Sequence, residues 1–101
     1  MAIAFVQATT GTGNLTLNSV VSGNALFYVM SYFRATAQGS PPTTPTDDNG
    51  TFSVGIAPND LAFSGFGVGA CIWYQLNAAA GTHNVTVPST SSKHGSLMEW
   101  S

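Results

Sequence analysis

Apolar and polar residues alternate along several short segments of the chain, with the period of two that is typical of a β-strand. Leu15 and Leu17 fall on one face of such a segment and polar residues on the other, which predicts a half-buried strand. The same parity puts His83, Val85 and Val87 on one face of a later strand. Gly, Pro, Thr and Asn interrupt the pattern about every ten residues, and no segment has a convincing helical period. The pattern therefore predicts an all-β protein.

Two segments differ because they are apolar on both faces. Residues 68–76 form one of them and contain Trp73, and residues 25–34 form the other. In residues 25–34, one face carries Leu26, Tyr28, Met30 and Tyr32, and the other carries Phe27, Val29 and Phe33. A strand with this composition is either central in a sandwich or covered on its outer side by another chain.

Shorter alternating segments complete the prediction. We expect a first strand over residues 3–6, one over residues 52–56, and a last one over residues 97–100. The glycines of the run between residues 65 and 69 predict bends or bulges, and residues 89–95 predict a polar loop in which His94 is solvated. Short strands at this spacing predict one domain, residues 1–101, built as an antiparallel two-sheet β-sandwich of Greek-key or jelly-roll type with about seven to eight strands.

One long loop is predicted over residues 37–50, which contain Pro41, Pro42 and Pro45 and end in an Asn-Gly turn signal. A loop of this length in a small domain is usually functional or mobile, so we interpret it as a candidate contact arm. Asp47 and Asp48 near its end suggest oxygen ligands for calcium, but they lack the spacing of a calcium-binding loop. Asx-turn chemistry explains them more simply.

Composition narrows the function. Charged residues make up 6% of the 101 residues and the net charge is -2, so the chain lacks the positive charge that binds nucleic acid or an anionic membrane. No apolar stretch is long enough for a membrane-spanning helix, and the first residues do not resemble a secretory signal. Cys71 is the single cysteine, so no internal disulfide is expected.

Candidate catalytic chemistry is sparse. The titratable residues do not fall into any recognisable catalytic or zinc-binding pattern, so we expect no enzyme activity, no metal and no cofactor. Cys71 is best interpreted as a buried small hydrophobic residue, and His83 as a hydrogen-bonded residue at the end of a core face. The aromatic residues Tyr28, Tyr32, Trp73 and Tyr74 favour core packing over a sugar-stacking platform.

The order of short motifs along nearly the whole chain resembles a β-sandwich module of phage and bacterial surface proteins. The matching segments are Phe5-Val6-Gln7, Leu15-Thr16-Leu17, Gly23-Asn24-Ala25-Leu26, Asp48-Asn49-Gly50-Thr51, Ile72-Trp73-Tyr74, Gly81-Thr82 with Val85-Thr86-Val87, and Glu99-Trp100-Ser101. Longer relatives continue beyond the Glu-aromatic-Ser strand. At about a hundred residues the chain is similar to the capsid decoration, or cement, proteins of tailed bacteriophages, including cyanophages.

This resemblance implies a virion protein that is made in the host cytoplasm and binds the major capsid protein on the outside of the head as a homotrimer. Leftover apolar strand surface and near-zero charge are compatible with self-assembly. Trp100, near the end of the chain, is expected to dock, and a neighbouring subunit is one candidate for its dock. The predicted partner contacts are Arg34, Pro41, Pro42, Pro45, Asp47, Asp48, Leu97, Met98 and Trp100.

Three alternatives stay open. A carbohydrate-binding or adhesin module would use the aromatic residues, and a phage tail or baseplate component would use the same type of sandwich at another place on the particle. An enzyme would need turnover that depends on His83 or Cys71.

Overall fold

The computed structural model describes residues 2–34, 42–59, 61–63, 66–87 and 92–101, and these residues form strands, turns and loops without a helix. The strands are β1 (Phe5–Gly11), β2 (Leu15–Val20), β3 (Ala25–Arg34), β4 (Thr46–Asp47), β5 (Ser53–Ile56), β6 (Leu61–Phe63), β7 (Phe66–Gln75), β8 (Gly81–Thr86) and β9 (Ser92–Trp100).

The strands form two antiparallel sheets, so the predicted all-β two-sheet sandwich is confirmed. The large sheet has the order β1-β9-β3-β7-β5, with β6 also paired to β7, and the small sheet has the order β2-β8-β4. Two very short strands of the described residues were not predicted from the sequence pattern, namely the two-residue β4 and the three-residue β6. β3 lies between β9 and β7 in the large sheet, and one of its two apolar faces is buried while the other is half-buried to exposed.

The core lies between the two sheets. Alternate residues of β3, β7 and β9 meet those of β2 and β8, and the buried set includes Leu15, Leu17, Leu26, Tyr28, Met30, Tyr32, Trp73, Val85 and Leu97. The rings of Tyr28 and Trp73 stack with their centroids 5.8 Å apart. Core packing is thus confirmed for Tyr28, Tyr32 and Trp73, and a sugar-stacking platform that includes them is not formed because they are 5% exposed or less.

Two glycines make room for tyrosine rings inside the large sheet. Gly69 lies opposite Tyr32 in the pairing of β3 with β7, and a Cβ atom on Gly69 would lie 2.5 Å from the Tyr32 hydroxyl oxygen. A Cβ atom on Gly95 of β9 would lie 2.5 Å from Cε1 of Tyr28. The prediction of bends or bulges was therefore wrong for Gly67 and Gly69, which continue the regular register of β7 with β3.

Three predicted boundaries also change. β1 begins at Phe5 and not at Ile3, and the predicted loop over residues 37–50 contains β4. β9 begins at Ser92, so His94 is an exposed strand residue and not a loop residue. Pairing with β3 explains this last difference, because Ser31 and Tyr32 provide partners for His94 and Lys93.

Candidate functional site

One side of the large sheet faces away from the small sheet and is apolar along most of its length. We call this side the outer face. Its residues on the three central strands are Phe27, Val29, Ser31 and Phe33 of β3, Phe66, Val68, Ala70, Ile72 and Tyr74 of β7, and Ser92, His94, Ser96, Met98 and Trp100 of β9.

The register aligns these residues in rows that cross the sheet. Met98, Phe27 and Tyr74 form one row, and Ser96, Val29 and Ile72 form the next. Phe33 and Val68 lie opposite each other nearer the other end, and they are 38% and 36% exposed. Exposed rings of Phe33 and Phe66 contact each other with centroids 5.3 Å apart. The outer face therefore presents apolar side chains toward both of its ends, on either side of the row of His94, Ser31 and Ala70.

The corresponding side of the small sheet is polar. Thr16, Asn84 and Thr86 are exposed there, and Thr16 donates a hydrogen bond of 3.0 Å to the Asn84 side chain. An exposed sheet side is ordinarily polar in this way. The outer face of the large sheet departs from that rule, and an exposed apolar patch of this kind is typical of an interaction surface.

Small residues form a depression in the middle of the outer face. His94, Ser31 and Ala70 make one row across β9, β3 and β7, and the depression over them has a volume of about 240 Å³. Val29 and Ser96 of the neighbouring row also line it. Neither Ser31 nor Ala70 was a predicted site residue, because a single small residue in an apolar strand carries no signal until the register is known.

The end of the outer face is closed by Trp100. Its ring meets the ring of Phe5 edge to face, with centroids 5.5 Å apart. Trp100 therefore docks on its own chain through β1 and does not need a neighbouring subunit for this contact. Met98 is half-buried on the outer face, whereas Leu97 is fully buried in the core. Leu97 consequently does not lie on a surface that a partner could contact, which corrects that prediction.

The described end of the 37–50 segment packs on the body of the protein, and it is not a free arm. Pro42 and Pro45 are buried, and the Asp47 side chain is fully buried. Asp48 is exposed, and its carboxylate accepts hydrogen bonds from the Asn84 backbone N–H at 2.9 Å and from Asn84 Nδ2 at 2.7 Å. These hydrogen bonds lower the pKa of Asp48. Pro41 lies outside the described residues.

Asp47 belongs to a buried polar cluster. Its Oδ2 atom lies 2.6 Å from Nδ1 of His83 and accepts a hydrogen bond of 2.6 Å from Nε2 of Gln75. Its Oδ1 atom accepts from the Asn49 backbone N–H at 3.0 Å, which is the predicted Asx turn. The buried Asp47 side chain is thus a structural link between strands, and the contact of Asp47 with a partner stays a prediction.

Both ring nitrogens of His83 face acceptors. Nδ1 faces the Asp47 carboxylate, and Nε2 lies 2.8 Å from the backbone oxygen of Ala79. Burial lowers the pKa of His83, but the bonds to Ala79 and Asp47 and the charges of Asp47 and Asp48 outweigh burial and raise it. Both acceptors are satisfied when both ring nitrogens carry a proton, and in that state His83 and Asp47 form a buried ion pair. This confirms that His83 is held at the core face by hydrogen bonds.

A second buried carboxylate, Glu99, accepts hydrogen bonds from three groups. They are Nε2 of Gln7 at 2.6 Å, the Val21 backbone N–H at 2.8 Å and Nδ2 of Asn24 at 2.7 Å. Burial raises the pKa of Glu99, but these hydrogen bonds outweigh burial and lower it. Glu99 therefore ties β9 to β1 and to the turn after β2.

Cys71 and Arg34 occupy ordinary structural positions. Cys71 is buried, burial raises the pKa of its thiol to about 11, and Sγ lies 3.8 Å from the Met30 backbone oxygen. The interpretation of Cys71 as a buried hydrophobic residue is confirmed. Arg34 is the last residue of β3, lies opposite Gly67 and is half-buried.

Across the described ranges, no helix could span a membrane, and no three His, Cys, Asp or Glu side chains come together as metal ligands do. Comparison of the chain with protein-family models, curated proteins and solved structures found no match.

Proposed function

We propose that this protein is a structural, non-enzymatic component of a phage particle that attaches as an oligomer to the outside of the capsid and stabilises it. The observation that carries the proposal is the exposed apolar outer face of the large sheet, which an oligomer would bury between its copies. Strands of a protein that acts alone in water are normally polar on their exposed side. The order of sequence motifs adds the resemblance to capsid decoration proteins, which implies the major capsid protein as partner and a homotrimer as assembly.

The attachment would depend on buried area and shape and would depend little on charge. The whole chain has two Lys and Arg residues and four Asp and Glu residues, so it offers few partners for ion pairs with a capsid surface. Binding across a capsid surface that buries apolar area gives affinity without ion pairs. A decoration protein of this kind would stabilise a shell by holding neighbouring capsid subunits together.

The proposal is tested with empty heads purified from the phage that encodes the chain, in a strain that does not make the protein. The purified chain is expected to sediment with these heads and to raise the temperature at which they rupture. Electron microscopy of the mixture should then show added density on the outside of the head. Absence of binding would contradict the proposal, and density on the tail of the intact particle would support the alternative of a tail or baseplate component.

A further inference from the structure

We infer that the outer face of the large sheet is covered by the outer face of a second copy of this chain, in a two-fold symmetric contact. This inference deepens the proposed function, because it rests on an oligomeric protein and names what covers its apolar surface. Two-fold symmetry gives two chains and not the three that the family resemblance implies, so the mass of the assembly distinguishes between them.

The size of the outer face fits such a contact. With the usual strand spacing and rise, the three central strands cover roughly 460 Å², and the shorter β1 and β5 bring the total to roughly 630 Å². Specific protein interfaces bury about 600 to 1,000 Å² on each partner. The face of one chain is therefore large enough for a stable dimer.

The relief of the outer face is complementary to itself. Val29 and Ile72 form a row of branched side chains next to the row of Ser31 and Ala70, where the depression lies. We place the two-fold axis midway between the facing sheets, perpendicular to the strands, and between these two rows. With this axis, the branched row of each copy faces the small-residue row of the other copy. Because Ser31 and Ala70 have short side chains, the depression over them leaves space for the aliphatic side chains of the facing row.

The remaining rows also match under the same axis. The row of Met98, Phe27 and Tyr74 then faces the row of Ser92, Phe33 and Val68 of the second copy, and both rows are apolar on β3 and β7. Sheets that pack face to face lie about 10 Å apart, with their strand directions within about 30°. No described residue of the outer face carries a fixed charge, so a second copy brings no like-charge repulsion.

The first test is the solution mass of the purified full chain, measured by light scattering and sedimentation equilibrium. We expect twice the chain mass of 10.4 kDa at micromolar concentration and dissociation on dilution. Ala70→Arg puts a long charged side chain into the depression and should give the mass of one chain. Thr86→Arg adds the same residue at an exposed position of β8 on the small sheet and should leave the dimer intact.

The second test fixes the register of the contact. Ile72→Glu should also give single chains, because its carboxylate would be buried opposite Ala70 of the second copy. In an equimolar mixture of the two variants, the introduced arginine of one chain would face the introduced glutamate of the other across the interface, so a dimer containing one chain of each is expected to return. Circular dichroism checks that each variant is folded, and Ser31→Lys, in the same row, replaces Ala70→Arg if that variant does not fold.

A wild-type chain that stays single at all concentrations would overturn the inference, and so would a trimer. A dimer that Ala70→Arg leaves intact, or folded variants that do not pair when mixed, would also overturn it. Different outcomes contradict the proposed function and the pairing of two copies. A dimer that does not bind heads would contradict the capsid role alone, and a single chain that binds heads would contradict the pairing alone.

Discussion

Single residues decide how closely the strands of the large sheet approach the core rings. Tyr28 is 1% exposed, stacks on Trp73, and lies over Gly95 on the neighbouring strand β9. Because the ring is packed on both sides, it cannot easily move away from an added methyl group. A glycine inside a strand is often needed where another group comes this close.

Gly95→Ala is accordingly expected to destabilise the protein by about 1 to 3 kcal/mol, the usual effect of overpacking a core. Urea unfolding followed by the fluorescence of Trp73 and Trp100 measures the change. Gly13→Ala is the matched control, because no heavy atom lies within 4 Å of its Cβ position. Equal stabilities of the two variants would contradict the argument that Tyr28 requires glycine at residue 95.

The carboxylate of Glu99 makes the free energy of unfolding depend on pH in the acidic range. Its pKa is lower in the folded protein than the usual value of 4.5. The stabilisation is therefore present above the usual pKa and is lost as the pH falls through the lower, folded pKa. Glu99→Gln replaces one acceptor oxygen by an NH₂ group that faces donors, and it should cost about 2 to 3 kcal/mol at neutral pH.

Urea unfolding between pH 7 and pH 3 measures this effect. The wild-type protein should lose more stability than Glu99→Gln over that range, so the two curves converge at low pH. Parallel curves would show that the pKa of Glu99 is the same in the folded and unfolded protein. The pKa of Asp48 is also lowered, but both proteins keep Asp48, so the difference between their curves reports Glu99 alone.

The hydrogen-bond partners of Asp47 and Glu99 could not be predicted because they lie far away in the sequence. Gln7 and Glu99 are separated by 92 positions, and Asp47 and His83 by 36. The role of His83 was predicted because its parity with Val85 shows in the local pattern. A local pattern shows which side of a strand a residue occupies, but only the pairing of strands shows which residue it meets.

At the scale of elements, β3 could be predicted with its limits because both of its faces are apolar over ten residues. Cover of the second apolar face of β3 by another chain was one of two predicted alternatives, and the depression on that face could not be predicted because it depends on register. The start of β9 was wrong because Ser92–Ser96 is polar and contains glycine, which locally favours a loop. Pairing with β3 supplies the hydrogen bonds that make it a strand.

The buried ion pair between Asp47 and His83 joins β4 to β8, and Gln75 adds the end of β7. The pKa of His83 is raised above its usual 6.5 in the folded protein. Its stabilisation is therefore complete below pH 6.5 and is lost as the pH rises through the higher, folded pKa. We expect the thermal midpoint to fall over that range, and scanning calorimetry from pH 5.5 to 9 measures it.

Removal of one partner tests the same pair. His83→Gln should remove the fall of the midpoint with rising pH, and it should destabilise the protein by about 3 to 5 kcal/mol at pH 6 because Asp47 is left buried with its charge unpaired. The double variant Asp47→Asn with His83→Gln has no buried charge and should recover part of this loss. If the single and double variants are equally unstable, the two residues are not coupled as an ion pair.

At the scale of the whole molecule, the net charge is -2 and the described residues of the outer face include no Asp, Glu, Lys or Arg. The salt dependence of the dissociation constant therefore tests whether apolar contact or ion pairing holds the copies together. Charged groups in water interact over about 10 Å at 0.1 M salt and about 3 Å at 1 M. The wild-type dimer lacks such groups at the proposed contact, so its dissociation constant should change less than about threefold between 0.1 and 1 M sodium chloride. Sodium sulfate should tighten it, because this salt strengthens apolar burial.

The mixed dimer of Ala70→Arg with Ile72→Glu provides the contrast, since its pairing depends on the added charges. Its dissociation constant should rise at least tenfold over the same range of sodium chloride, in the same sedimentation experiment. A wild-type dimer that weakens as strongly as the mixed dimer would mean that ion pairs outside the outer face hold the two chains together. In that case the apolar sheet surface would not be what drives association, even if the mass of two chains is found.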